Sequence, residues 1–97
     1  MASYILLTKL TDQGARNVKD LPARLEAYKK SAPKFGAEVR EVFMAIGPFD
    51  TISLVSAPDD ESVCKLALSL CALGNVHTET LRLFSEGEIK KLIAGLS

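Results

Sequence analysis

Residues 38–57 have the sequence EVREVFMAIGPFDTISLVSA, and this stretch decides the fold. Apolar and β-branched residues are frequent from Glu38 to Ile46 and again from Thr51 to Ala57, which is typical of β-strands. The four residues between these segments, Gly47-Pro48-Phe49-Asp50, have the composition of a turn. The pattern therefore predicts a β-hairpin in the middle of the chain.

A strand and a helix are predicted on each side of this hairpin. On the N-terminal side, residues 4–10 predict a strand, and a helical pattern begins at Ala15 or Leu21 and ends at Ala32, before a turn at residues 33–36. On the C-terminal side, Pro58-Asp59-Asp60-Glu61 predicts a helix start, because aspartate caps N–H groups and acidic residues complement the helix dipole. The remaining predicted elements are a helix at residues 60–73 ending before Gly74, a strand at residues 76–84 and a terminal helix at residues 86–96.

The order strand, helix, strand, strand, helix, strand predicts an α+β, ferredoxin-like sandwich with two helices on one face of a four-stranded antiparallel sheet. The other face has no predicted cover, yet the first strand places Tyr4 and Leu6 on one face and Ile5 and Leu7 on the other. A second layer is required, and a second copy of the chain is the economical way to provide it. We expect a single domain over residues 1–97 that forms a homodimer or a larger homo-oligomer.

Composition argues against several classes of partner. Twelve Lys and Arg residues balance twelve Asp and Glu residues and are scattered, so nucleic acid would find no basic stripe. The first residues lack the features of a signal peptide, and no apolar stretch reaches membrane-spanning length. We therefore expect a cytoplasmic protein without a membrane partner. A chain of this size also leaves little apolar material for a cavity, so we expect a shallow or shared site.

The two cysteines predict neither a disulfide nor a metal site. Cys64 and Cys71 lie in one predicted helix, separated by about 10 Å of helical rise, which is too far for a disulfide. Neither has a histidine or a second cysteine at metal-ligand spacing. We expect small buried apolar residues, no metal and no cofactor.

His77 and Glu79 are the candidate catalytic residues. His77 is the only histidine, and in a strand it points to the same face as Glu79. A neighbouring carboxylate orients a histidine so that it acts as a general base. The alternative is a structural polar pair at the sheet edge or at a subunit interface.

Four residues are candidate ligand contacts: Tyr4, Phe43, Phe49 and Asp50. Phe49 would stack on a ligand at a pocket mouth, and Asp50 would bind a polar group. Turn chemistry alone also explains this segment, because glycine permits a positive φ, proline fixes the next φ and aspartate binds backbone N–H groups.

Six segments of the chain together resemble the GYD domain family. They are YILLT at residues 4–8, TDQG at 11–14, NVKD at 17–20, GPFD at 47–50, APDDE at 57–61 and LGNVHTETLR at 73–82. The resemblance implies a small bacterial protein with a ferredoxin-like or dimeric α/β-barrel fold and no established biochemical activity. The family's Gly-Tyr-Asp corresponds to Gly47, Phe49 and Asp50, so a role that needs the tyrosine hydroxyl is lost here.

Two functions remain open. The first is a non-catalytic homo-oligomer that binds a small molecule or a protein partner between the sheet and its helices. The second is a cofactor-independent enzyme of the dimeric α/β-barrel kind, an oxygenase or isomerase, with His77 and Glu79 as the base and Tyr4 or Asp50 positioning the substrate. We favour the first, because the sequence has no nucleophile motif and no glycine-rich phosphate loop.

Overall fold

The computed structural model describes residues 1–96 and contains one four-stranded antiparallel sheet. Its strands are β1 (Ala2–Leu10), β2 (Glu38–Met44), β3 (Thr51–Ala57) and β4 (Val76–Leu83). They lie in the order β2-β3-β1-β4, so β2 and β4 form the edges. The element order and the antiparallel pairing are those of the ferredoxin-like fold, and the predicted α+β class is confirmed.

Four helices accompany the sheet within residues 1–96. They are α1 (Asp12–Arg16), α2 (Leu21–Ser31), α3 (Asp60–Ala72) and α4 (Glu86–Ala94). The side chains of Thr11, Asp59 and Ser85 accept hydrogen bonds from the first turns of α1, α3 and α4, as helix N-caps do. Gly74 follows α3 with φ of 84°, which confirms its predicted place at the helix end. Within the described residues, no helix is both long enough and apolar enough to cross a membrane.

The predicted first helix is two helices. Asn17 ends α1 because its φ of −103° and ψ of 27° lie outside the helical region. A short 3-10 turn, Val18–Asp20, follows, and Pro22 lies in the first turn of α2, where its missing N–H costs no hydrogen bond. Of the two predicted starts, Leu21 is therefore correct and Ala15 is wrong.

Other boundaries differ from the prediction by a few residues. Strand β1 begins at Ala2 because Ala2 pairs with Ala57. Strand β2 ends at Met44, not at Ile46, because the N–H of Ala45 already donates to the carbonyl of Asp50 and closes the turn. The later elements end one or two residues early, namely α3 at Ala72, β4 at Leu83 and α4 at Ala94.

The side of the sheet that faces the helices carries the hydrophobic core at one end only. There, Tyr4 and Leu6 of β1 and Val55 of β3 are buried against residues of α3 such as Leu66. At the other end, the same faces of the strands present Thr8, Thr51 and Ser53. The core is therefore concentrated at one end of the sheet, and hydroxyl side chains line the other end.

The opposite side of the sheet, which we call the open sheet face, has no covering element within residues 1–96. Its apolar members are Ile5, Leu7, Phe43, Ile52, Leu54, Leu81 and Leu83. Ile5 pairs with Leu54 on one side and Leu81 on the other, so the apolar residues are continuous across three strands. The prediction that the strands are apolar on both faces is confirmed.

Edge strand β2 contains a β-bulge. The pairing of β2 with β3 shifts register between Val39 and Glu41, which leaves Arg40 as the extra residue. Glu38, Arg40 and Glu41 are all exposed. A bulge and charged side chains are features that prevent an edge strand from pairing with another strand.

The cysteines differ from their predicted environment. Both are free thiols, as the spacing indicated, but Cys64 is exposed and Cys71 is half-buried. Their face of α3 is turned partly to solvent, because the deeply buried positions of that helix belong to Val63, Leu66 and Ala67.

Gly14 provides a test of how α1 packs against the turn before β4. A Cβ atom at Gly14 would lie 2.0 Å from the carbonyl oxygen of Asn75, and that oxygen already accepts the N–H of Thr11. We expect Gly14→Ala to lower the free energy of unfolding by about 1–3 kcal/mol, measured by urea denaturation followed by circular dichroism. Gly87→Ala is the control, because its nearest atom is 4.0 Å away, and it should change the free energy of unfolding by less than about 1 kcal/mol. Equal effects of the two substitutions would contradict this packing.

Candidate binding sites on the two sheet faces

A cavity of about 540 Å³ lies between the sheet and helices α2 and α3. Its floor includes Thr8, Thr51 and Ser53, and the hydroxyl groups of Tyr28 and Ser53 lie 2.8 Å apart. Its apolar lining includes Leu10, Leu21, Leu25, Val42, Leu70, Leu73 and Val76. The volume is within the range of small-molecule sites, which is about 300–1,000 Å³.

The length of the chain predicted a shallow or shared site, and the cavity lies within one chain and is partly open to solvent. Short side chains such as Thr51, Ser53 and Ser69 occupy the end of the sandwich where large apolar residues would otherwise fill the space. Leucines of both covering helices line this space.

Two basic side chains line the cavity, and they have different surroundings. Arg24 donates from its guanidinium to the carbonyl oxygens of Asn17, at 3.1 Å, and Gly14, at 3.3 Å, so it braces the loop after α1. Lys34 is exposed. The positive charge available to a ligand therefore lies where the cavity meets solvent.

His77 and Glu79 share one face of the sheet, as their spacing predicted, and it is the open sheet face. His77 pairs with Lys9 of β1, and Glu79 pairs with Leu7. All three polar side chains are exposed. They form a polar margin beside the apolar residues of the open sheet face.

Tyr4 lies on the other side of the sheet, under the helices. Its hydroxyl donates to Oδ1 of Asp60 at 2.5 Å, and its ring lies 5.6 Å from the guanidinium carbon of Arg82. Burial first, and then the hydrogen bond and negative charge of Asp60, raise the pKa of Tyr4 to about 12. The sheet separates Tyr4 from His77 and Glu79, so within one chain these residues do not form one catalytic site.

The turn at Asp50 has a structural role that its backbone contacts explain. Oδ2 of Asp50 accepts the N–H of Leu10 at 2.8 Å, and the N–H of Asp50 donates to the carbonyl of Thr8 at 2.8 Å. Gly47 has a φ of 139°, as the turn interpretation expects. The carboxylate of Asp50 thus joins the hairpin to the end of β1.

The four predicted ligand contacts do not share one surface. Tyr4 is buried beneath the helices, whereas Phe43 lies on the open sheet face and is 55% exposed. Phe49 is half-buried in the hairpin turn beside Asp50. Within residues 1–96, no group of three or more His, Cys, Asp or Glu side chains is placed to hold a metal ion.

The family of the chain follows from its similarity to known proteins. The model of the GYD domain matches residues 4–93. This chain belongs to the GYD domain family. The predicted resemblance to that family is therefore confirmed. One relative from Thermus thermophilus is 33% identical over 82 residues, which cover 84% of this chain and 86% of the relative. That relative is named as a glutamine synthetase and cystathionine beta-lyase binding protein.

Two solved structures share the fold of this GYD domain. The crystal structure of TTHA0845 from Thermus thermophilus has a TM-score of 0.57 and 24% identity, over 88% of this chain and 95% of that chain. The crystal structure of MtbAldR has a TM-score of 0.60 and 17% identity, over 88% of this chain and 53% of that chain. At these identities the similarity establishes the fold alone.

Two groups of residues at the candidate sites were missed from the sequence. Thr8, Thr51 and Ser53 line the cavity. In their strands they lie an even number of residues from buried apolar residues such as Leu6 and Val55, so they share the same face, and this spacing could have identified them. Asp60 was assigned only to a helix start, but it also accepts the hydrogen bond from Tyr4, which is 56 residues away. No local pattern predicts that contact.

The raised pKa of Tyr4 predicts a late titration. In a Tyr28→Phe variant, at pH about 11, we expect Tyr4 to be about one-tenth ionised while folded, against about nine-tenths for an ordinary tyrosine. Phenolate absorbance in the near ultraviolet measures ionisation, and circular dichroism confirms that the chain is still folded.

The same pKa gives a direction for stability. The folded state binds the phenolic proton more tightly than the unfolded state, so this contribution is complete below pH about 10 and is lost as pH rises towards about 12. Tyr4→Phe should remove that part of the pH dependence. An ordinary titration of Tyr4 in the folded protein would contradict the Asp60 contact.

Proposed function

We propose that this GYD domain chain is a non-catalytic binding module that self-associates, binds another protein and holds a small molecule between its sheet and its helices. The observation that carries the proposal is the open sheet face. Seven apolar side chains lie there, opposite a face that already packs against helices. An apolar patch of this kind on a sheet is a feature of interaction sites.

Helix α4, which follows the end of β4, supplies a second apolar surface. Ile89, Leu92, Ile93 and Leu96 recur at helical spacing, and each is about half exposed or more. A helix of nine residues is marginal by itself in water, so packing must stabilise it. We propose that a second copy of the chain provides that packing.

The direction of α4 is set by contacts at its start. Ser85 and Glu88 form a capping box, Glu88 lies 3.7 Å from the guanidinium of Arg82, and Arg82 also lies 4.4 Å from the centre of the Phe84 ring. These contacts hold the first turn of α4 to the end of β4. The apolar stripe of α4 is therefore presented in one direction, ready for a partner.

The relative from Thermus thermophilus supports the role in protein binding. It is named for binding two enzymes, and this chain aligns with it over most of both lengths. We extend partner binding to this chain and propose enzymes of the same kind, glutamine synthetase and cystathionine beta-lyase, as the first candidates to test.

The catalytic alternative stays a prediction. His77 and Glu79 are exposed, and a site around them would be enclosed only by a second copy or a partner. Tyr4 lies across the sheet, and the carboxylate of Asp50 binds a backbone N–H, so neither is free to position substrate beside His77 in one chain. Once a substrate is known, unchanged turnover in a His77→Ala variant would remove this alternative.

Three further predictions are kept as part of the proposal. They are a single domain over residues 1–97, a cytoplasmic location, and partners that include neither nucleic acid nor membrane. The single domain follows from the length and the lack of a linker-like stretch, and the exclusion of nucleic acid from the balanced, scattered charges.

Neighbouring residues of β2 test self-association, because they lie on opposite faces. Phe43 lies on the open sheet face and is 55% exposed, whereas Met44 lies on the helix side and is 68% exposed. We expect Phe43→Asp to weaken self-association about thirtyfold, since a buried aromatic contact at an interface is worth roughly 2 kcal/mol. Met44→Asp, the matched control, should leave it unchanged.

Light scattering across a dilution series measures both variants and the unaltered chain. A chain that is already monomeric at micromolar concentration would contradict the proposal. Equal weakening by the two substitutions would show that the open sheet face is not the contact surface.

A further inference from the structure

We infer that the cavity between the sheet and helices α2 and α3 binds a neutral, largely apolar molecule that carries one hydrogen-bonding oxygen. The inference rests on the small-molecule part of the proposed function. It is independent of self-association through the open sheet face, because the cavity lies on the other side of the sheet.

Three hydroxyl side chains line the floor of the cavity. Thr8 and Thr51 are direct partners across β1 and β3, and Ser53 is the next residue of β3 on that side. Their exposed fractions are 8%, 8% and 4%. A sheet face that packs against helices is normally apolar, as it is around Leu6 and Val55 in the same strands. Three hydroxyl side chains facing a cavity therefore favour a ligand with a polar atom.

Two of these three hydroxyl groups are available to a ligand. The hydroxyl of Ser53 already contacts that of Tyr28 at 2.8 Å. Within residues 1–96, the side chains of Thr8 and Thr51 make no hydrogen bond. Every fully buried polar side-chain atom in that range has a hydrogen-bond partner, so these two hydroxyls are not fully buried. The two threonine hydroxyls therefore remain accessible from the cavity and can donate to a ligand oxygen or accept from a ligand hydroxyl.

The charges around the cavity favour a neutral ligand. The guanidinium of Arg24 binds two backbone carbonyls, and Lys34 is exposed, so within residues 1–96 the cavity floor has no positive group to balance an anion. Among the described residues that line the cavity, none is acidic, so a cation would not be balanced either. Burying a charged ligand group against neutral hydroxyls is costly, and a neutral oxygen avoids that cost.

The volume and the apolar lining of the cavity indicate the size and character of the rest of the ligand. Leucines of both helices, including Leu21, Leu25 and Leu70, face the ligand space above the floor. A volume of about 540 Å³ has room for roughly ten to twenty non-hydrogen atoms. A fused-ring or short-chain ketone, or an alcohol of that size, fits both the lining and the floor.

Three compounds of similar size, each with two fused six-membered rings, test the inference. They are α-tetralone, a neutral ketone; tetralin, the matching hydrocarbon; and α-naphthoate, a carboxylate of similar size. Each is titrated into isotope-labelled protein, and the amide resonances are followed by NMR. We expect α-tetralone to bind most tightly and to shift the resonances of Thr8, Thr51 and Ser53.

Threonine-to-valine variants identify the hydrogen bond. Thr51→Val should weaken α-tetralone binding about fivefold and leave tetralin binding unchanged, because only the ketone uses the hydroxyl. Thr80→Val is the matched control, since Thr80 lies in β4 outside the cavity lining and should have no effect. If Thr51→Val does not fold, as judged by the dispersion of its spectrum, Thr8→Val takes its place.

Three results would overturn the inference. They are tighter binding of α-naphthoate than of α-tetralone, α-tetralone binding that neither valine variant changes, and resonance shifts confined to the open sheet face around Ile5 and Leu54. Light scattering of the same samples separates the two proposals. A monomer that binds α-tetralone contradicts only self-association, and an oligomer that does not bind it contradicts only the cavity site.

Discussion

The two-residue period of β1, in register with β3 and β4, is the constraint on which the rest of the structure depends. It directs Tyr4, Leu6 and Thr8 to the helices and Ile5 and Leu7 to the open sheet face. A shift of one residue would exchange these two sets. The core, the cavity and the exposed apolar patch are therefore all consequences of one register, and none can change without affecting the others.

The helix side of the sheet combines two functions that usually conflict. Large residues at one end, such as Tyr4 and Leu66, provide the close packing that stabilises the fold. Short hydroxyl residues at the other end leave an unfilled space. Separating these two regions along the strands allows a chain of 97 residues to keep both a stable core and a cavity, which the average burial expected for this length did not suggest.

Local chemistry explains which features were predictable. The hairpin around Gly47, the start of α2 beside Pro22 and the end of α3 before Gly74 each depend on a residue with a restricted or unusual backbone preference, and each was identified from the sequence. The assignment of the β1 side chains to two faces of the sheet followed from their alternation along the strand. The contact of Tyr4 with Asp60 and the cavity above Thr51 depend on how distant helices pack, and no local pattern encodes that distance.

The bulge in β2 has a consequence for the stoichiometry of any assembly. With Arg40 out of register and three exposed charged residues along it, this edge resists the addition of another strand. Two copies joined through their open faces, or through their β4 edges, are related by a two-fold axis. The surface that joins them is then buried and cannot bind a third copy. Pairing of β2 with β4 would instead be head-to-tail and could continue into a ribbon without end. The bulge thus favours assemblies with a finite number of subunits over fibres.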